Sequence, residues 1–261
     1  MGHTRIGRLN RTRKWKDIVG AFCMGAEAEQ TSRMVLDAVS DAFNEKAIAN
    51  DAGYQKAVEL LVQMGVAAQS GDFVGHMRKC GINLSDTPTT QELMAHLDKS
   101  ITDAMWKNYS GRCILGEHAK NALCHSVAIC AKNERDQELP GLIDRPDISV
   151  FNTFGTRANF AELNQNFIAQ TIARGLNGYI SQVLPNLTGV NLNILSMHEV
   201  NAAYEALTKH CVETATVHKA YSTEWLGKHN YQLKDMTPKT IKKHATFMVK
   251  KMMRALKYGK D

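Results

Sequence analysis

Residues 237–258 constrain this chain more than any other stretch. Thr237 can cap a first helical turn, and Pro238 takes the first helical position, where its missing N–H removes no bond. Gly259 supplies the stop. Between these signals Ile241, Ala245, Met248, Val249, Met252, Ala255 and Leu256 recur at helical spacing as one apolar stripe. The rest is basic: Lys239, Lys242, Lys243, Lys250, Lys251, Arg254 and Lys257, with Lys260 beyond and no acid before Asp261. Such a helix docks its stripe on a body and turns Lys243, Lys250, Arg254 and Lys257 outward, with Lys242 and Lys251 beside them.

The same period recurs upstream. Met34, Val35, Ala38, Ala42 and Phe43 form a stripe that Gly53 is expected to break, and Ala57, Leu60, Leu61 and Met64 begin another. Asp72 starts a short helix that runs to Lys79 and stops at Gly81, and residues 81–90 read as a loop. Thr89 with Glu92 is a capping-box signature ahead of Leu93, Leu97, Ile101, Ala104 and Met105. Helical patterns follow from Glu117, and again through Phe160, Leu163, Phe167, Ile168, Ile172 and Leu176. Ser196 with Glu199 is a second capping box, opening a helix expected to continue past Trp225. Gly175 and Gly178 suit close helix packing, and the prolines fall between the patterns. These features predict an all-α, single-domain bundle of about seven to nine helices. The expected order is a basic arm at 1–16 and a helical domain at 17–261, with a soft division near 133–147 and the basic helix at 237–258.

Charge segregates along the chain. The net charge is +6, yet residues 1–17 carry six Lys/Arg against Asp17, and residues 237–261 carry eight against Asp261. The stretch between is therefore net acidic by six charges. Two basic ends on an acidic body point to an anionic partner. In the arm, Arg5, Arg8, Arg11, Arg13, Lys14 and Trp15 can follow a phosphate backbone, or fold back onto the body's own acids with Trp15 as anchor. Lys242, Lys243, Lys250, Lys251, Arg254 and Lys257 offer a second phosphate-binding or acidic-partner surface. Lysines are point charges without a bidentate reach, so base-specific readout is not expected. An anionic membrane fits less well, because the stripe is rich in Met and Ala with Phe247 as its one bulky aromatic. Tyr221, Trp225, His229 and Tyr231, just upstream, read as packing for the last helix or as a stacking surface, packing being the simpler reading.

Other chemistry is thinly signalled. No apolar run approaches the roughly 18 residues of a membrane span, and the N-terminus lacks the apolar core of an export signal. Six cysteines at irregular spacings read as reduced thiols in a cytoplasmic protein. His118, His125, His210, Glu213 and His218 are the candidate metal ligands, but no C-x-x-C or H-E-x-x-H spacing supports them. NTFGTR at 152–157 is not a phosphate loop, and no cofactor is called for.

GRLNRTRKW at 7–15, QSGDF at 69–73, ARGLNGYISQVLPNLTG at 173–189, and YSTEWLGKHNYQ at 221–232 with MTP at 236–238 and His244, taken together, resemble an uncharacterised bacterial family of helical proteins. The likeness covers most of the chain. It implies a helical accessory subunit encoded in multi-gene operons, with anti-phage defence as the setting, and it carries no catalytic motif. The expected function is a non-enzymatic subunit of a bacterial hetero-oligomeric assembly that contacts nucleic acid (DNA or RNA) or an acidic protein through its basic ends. The alternatives are a metal-dependent or nuclease-like enzyme using the His/Glu set above, and peripheral binding to anionic membrane.

Overall fold

The computed structural model describes residues 17–18, 20–21, 27–39, 43–107, 114–136, 147–181, 197–230 and 237–259. They form eleven helices in chain order: α1 (Ala28–Ala38), α2 (Glu45–Ala49), α3 (Ala52–Gln69), α4 (Phe73–Lys79), α5 (Thr90–Lys107), α6 (Ile114–Asp136), α7 (Asp147–Thr153), α8 (Arg157–Ser181), α9 (Met197–Thr214), α10 (Val217–Asn230) and α11 (Pro238–Tyr258). No strand occurs among the described residues, and none of their helices is long and apolar enough to cross a membrane.

Local chemistry explains most of the boundaries. Asn44 Oδ1 accepts the Ala47 N–H and caps α2, and Asp51 Oδ1 accepts the Tyr54 N–H and caps α3. Asp72 Oδ1 accepts the Gly75 N–H at 2.8 Å and caps α4, which ends near Gly81 at φ +85. Thr89 Oγ1 accepts the Glu92 N–H at the head of α5, as the capping-box signature expects. The Glu92 carboxylate takes the Ser85 N–H and hydroxyl, with the Thr89 backbone N–H adding to them, and these bonds hold its carboxyl below the usual carboxylate range. Asp147 at the head of α7 accepts both the N–H and the hydroxyl of Thr90, tying two distant helix starts together.

Eleven helices exceed the seven to nine expected, for two reasons. First, α2 and α7 span five and seven residues, too short for a periodic stripe to show. Second, the long helix expected past Trp225 breaks at Ala215 and Thr216. There the β-branched Thr214, Thr216 and Val217 crowd together, and the Thr216 hydroxyl bonds the Glu213 carbonyl at 2.7 Å. Local bonding of that kind competes with the helical ladder. Gly53 is a further correction. It breaks nothing and lies one residue inside α3; the break before it belongs to the Asp51 cap. Ser196 and the Glu199 side chain lie outside the described set, as do residues 137–146 of the proposed division.

The core organises around α8 and α3. Fifteen of the 25 residues of α8 are buried, spread around its circumference, and such a helix needs neighbours on every side. It receives α6, α9 and α10, while α3 receives α4, α5, α6, α7 and α11. One continuous apolar cluster runs from Ile18 to Leu256. Two glycines permit the closest crossings. A Cβ on Gly175 would meet the Phe43 ring at 2.6 Å, and one on Gly53 would meet the Gly116 Cα at 2.5 Å and Met105 at 2.9 Å.

Gly53→Ala sets two effects against each other. Helix propensity favours Ala by about 1 kcal/mol, whereas overpacking costs about 1–3 kcal/mol. The obstructing atom at Gly116 is backbone and cannot rotate away, so overpacking wins. A lowered urea midpoint with an unchanged slope is the expected result.

Candidate nucleic-acid interface

Helix α11 is built as its sequence indicates. Thr237 Oγ1 accepts the Thr240 N–H, Pro238 sits in the first turn, and Gly259 at φ +92 donates its N–H to the Ala255 carbonyl. Its buried face holds Ile241, His244, Ala245, Met248, Val249, Met252, Met253 and Leu256. Ala255, expected on the stripe, is only half-buried, while His244 and Met253 are additions that hydropathy alone does not mark. This face packs on α1, α2, α3 and α10.

Polar contacts set the rotation of the helix. Tyr54 of α3 donates its hydroxyl to the Ala245 carbonyl at 3.0 Å. His244 Nε2 lies 3.1 Å from Asn164 Oδ1, and its Nδ1 lies 3.4 Å from the Tyr221 hydroxyl. The Asn164 amide nitrogen already donates to the Phe160 carbonyl, so Oδ1 is the acceptor and His244 Nε2 carries the proton. Nδ1, unprotonated in that tautomer, accepts from the Tyr221 hydroxyl.

These residues belong to a column of rings that climbs from core to surface. Phe160 stacks on Trp225 (centroids 6.3 Å apart), Trp225 on His244 (4.1 Å), His244 on Tyr221 (5.6 Å) and Tyr221 on Phe247 (4.1 Å). Every interplanar angle in the column is below 30°. Phe247 ends it and remains 41% exposed. Tyr221 and Trp225 thus pack the last helix, as expected of them; Tyr231 and the His229 side chain lie outside the described set.

The cations occupy the opposite face. Lys239, Lys242, Lys243, Lys250 and Arg254 are exposed, and Lys251 and Lys257 half-buried. Lys257 is neutralised in part by Asp37 of α1 at 3.7 Å. None of the other six has an ion pair among the described residues, and Lys251 Nζ lies 5.9 Å from the Tyr221 ring centroid. A groove of about 680 Å³ runs along this end, lined by Val217 of α10 with Phe247, Lys250, Lys251, Arg254, Ala255, Tyr258 and Gly259, and no acid is among the described residues that line it. Tyr258 is 74% exposed. Phe247, expected as the one bulky aromatic of the stripe, is outside the buried face, and neither it nor Tyr258 is marked as a site residue by the sequence. The available signal was their position: both fall on the basic half of the helical wheel, where a ring has no core to fill. Arg5, Arg8, Arg11, Arg13, Lys14 and Trp15 lie outside the described residues.

The candidate metal ligands stay apart. His118 on α6 is half-buried and His125, two turns on, is exposed. Both are held below the ordinary histidine range, first by desolvation and then by the Arg174 guanidinium of α8. His210 and Glu213 lie on α9, Glu213 exposed within 4.0 Å of Lys209, while His218 is on α10. Among the described residues no three His, Cys, Asp or Glu side chains gather to hold a metal ion. Cys80, Cys124, Cys130 and Cys211 are free thiols, and burial pushes Cys124 to about 11 and Cys130 and Cys211 to about 12. They act as small apolar side chains rather than as thiolates. Comparison of the chain with protein-family models, curated proteins and solved structures finds no match.

His218 is fully buried and neither ring nitrogen has a hydrogen-bond partner among the described residues, so desolvation, with Lys251 adding to it, pushes it down to about 3. The unfolded chain takes up this proton near the ordinary 6.5 and the folded chain does not. Stability linked to His218 is therefore intact above 6.5 and falls as pH drops from 6.5 towards 3. His218→Leu should remove about 2 kcal/mol of the stability lost between pH 7.5 and pH 5, measured by urea unfolding at both values.

Proposed function

We propose that this chain is a binding subunit whose α11 grips the phosphate backbone of nucleic acid without reading base sequence. One observation carries the reading: six of the seven Lys/Arg of α11 are left without an ion pair among the described residues, on a face held outward by the burial of the other. Lys243, Lys250 and Arg254 follow one another at seven and four residues, about 10 and 6 Å along the axis. A rigid row of charge at that spacing suits a polymer of phosphates. Mostly lysine, it supplies attraction without the planar fork that discriminates bases. The exposed rings among these cations favour nucleic acid over an acidic protein. The basic arm is part of the same proposal as a second phosphate contact. An accessory place in a bacterial assembly, with anti-phage defence as its setting, belongs to it too and rests on the sequence resemblance.

Deleting residues 237–261 would not test this, because it strips eight buried side chains from the core. Charge neutralisation does. Against a labelled duplex, Lys243→Gln/Lys250→Gln/Arg254→Gln should flatten the slope of log affinity against log salt by about 3, roughly 0.9 for each phosphate no longer neutralised. Lys99→Gln on the exposed face of α5 should leave the slope alone, and loss of residues 1–16 reports the arm separately. A triple variant with the parent slope, or a parent retained by polyglutamate and not by nucleic acid, would overturn the proposal, the second result in favour of an acidic-protein partner.

A further inference from the structure

Building on that reading, we infer that the groove beside α11 is a single-strand site, in which unpaired bases stack on Phe247 and Tyr258 while Lys250, Lys251 and Arg254 hold the phosphates between them. The first support is register. Positions 247, 251, 254 and 258 advance by four, three and four residues, with 250 three after 247 and four before 254, and so share one face of a helix. The face reads ring, two lysines, arginine, ring over three turns, about 16 Å from end to end. A groove of about 680 Å³ follows it, of a size that holds a small ligand such as a nucleotide or two.

The second support is the exposure of the rings. An aromatic left 41% or 74% exposed on a face otherwise given to cations contributes little to folding. Phe247 is also prepared for stacking. Tyr221 lies against it at 4.1 Å, and behind Tyr221 come His244, Trp225 and Phe160, all three buried. A base added to Phe247 would be the next member of a column already ordered, so little side-chain freedom remains to be lost. Flat rings usually meet bases from strands or mobile loops; here the column behind Phe247 supplies the rigid platform on a helix.

The third support is what a duplex can offer. Its bases are already stacked on one another and its exterior presents phosphates and groove edges. The cations of α11 serve both forms, whereas the rings serve only a strand whose bases are free. Single-stranded nucleic acid is therefore the form that uses every element of the groove.

The test measures anisotropy of labelled oligothymidylate, the same strand with abasic sites, and a duplex of equal length, all at one salt concentration. The parent is expected to hold oligothymidylate about tenfold more tightly than the other two. Phe247→Ala/Tyr258→Ala should lose that preference, falling about tenfold on the single strand with the duplex affinity and salt slope unchanged. Tyr258→Phe, which keeps the ring, should bind as the parent does. Phe247→Leu/Tyr258→Ala, which keeps apolar bulk against Tyr221 without an aromatic face, should behave as the double alanine variant, and thermal melting confirms that each variant is folded. Equal binding of parent to all three probes, or a double alanine variant that binds oligothymidylate like the parent, overturns the single-strand site and leaves the phosphate grip standing. A parent that binds none of the three overturns both.

Discussion

The outward face of α11 exists because its inward face is held in one rotation. Eight side chains of this helix are buried, and fully burying a large apolar side chain contributes about 1.5–3 kcal/mol. Apolar contact alone would tolerate some rolling about the axis. The bonds from Tyr54 to Ala245 and between His244 and Asn164 do not, since both are buried and directional. A turn of about 100°, one residue's step around the helix, would carry lysines towards the core, where the cost of burying an unpaired charge exceeds anything new packing could supply. Burial and charge therefore select the same orientation. The basic ridge is the counterpart of the dock.

Behind that dock lies a series of packed contacts through three other helices. A Cβ on Gly65 of α3 would meet the Phe160 ring at 2.7 Å, so glycine makes the room in which Phe160 of α8 lies. Phe160 supports Trp225 of α10, and Trp225 supports His244 of α11. The surface ring Phe247 thus inherits its position from the centre of the bundle. A loop could present the same residue, but would have to order it on binding. His218, two turns before Trp225 on α10, is buried and held neutral.

Much of this was legible in the chain. The all-helical class, the caps at Asp72, Thr89 and Thr237, and the stops at Gly81 and Gly259 rest on interactions within four or five residues. So does the outward set of α11 cations. Where the reading missed, a local cue was outweighed by a distant partner. Gly53 looks like punctuation, yet its reason is the Gly116 backbone across the α3–α6 crossing. His244 looks like a polar residue on the edge of a basic helix, yet Asn164, eighty positions earlier, makes it a core residue.

Sequence by itself determined the helical class, several capped starts and glycine stops, which face of the last helix is apolar, and that positive charge collects on the other, because periodicity and capping are properties of neighbouring residues. Tertiary structure alone decided which rings are covered. Trp225 and Phe247 are both aromatics near the same basic segment, but one meets Phe160 and His244 in the core and the other has Tyr221 on one side and water on the rest of its exposed surface. That difference comes from helices separated by tens of residues: the spacing along α11 places Phe247 on the basic half, but it encodes neither the Tyr221 ring behind it nor the cover over Trp225.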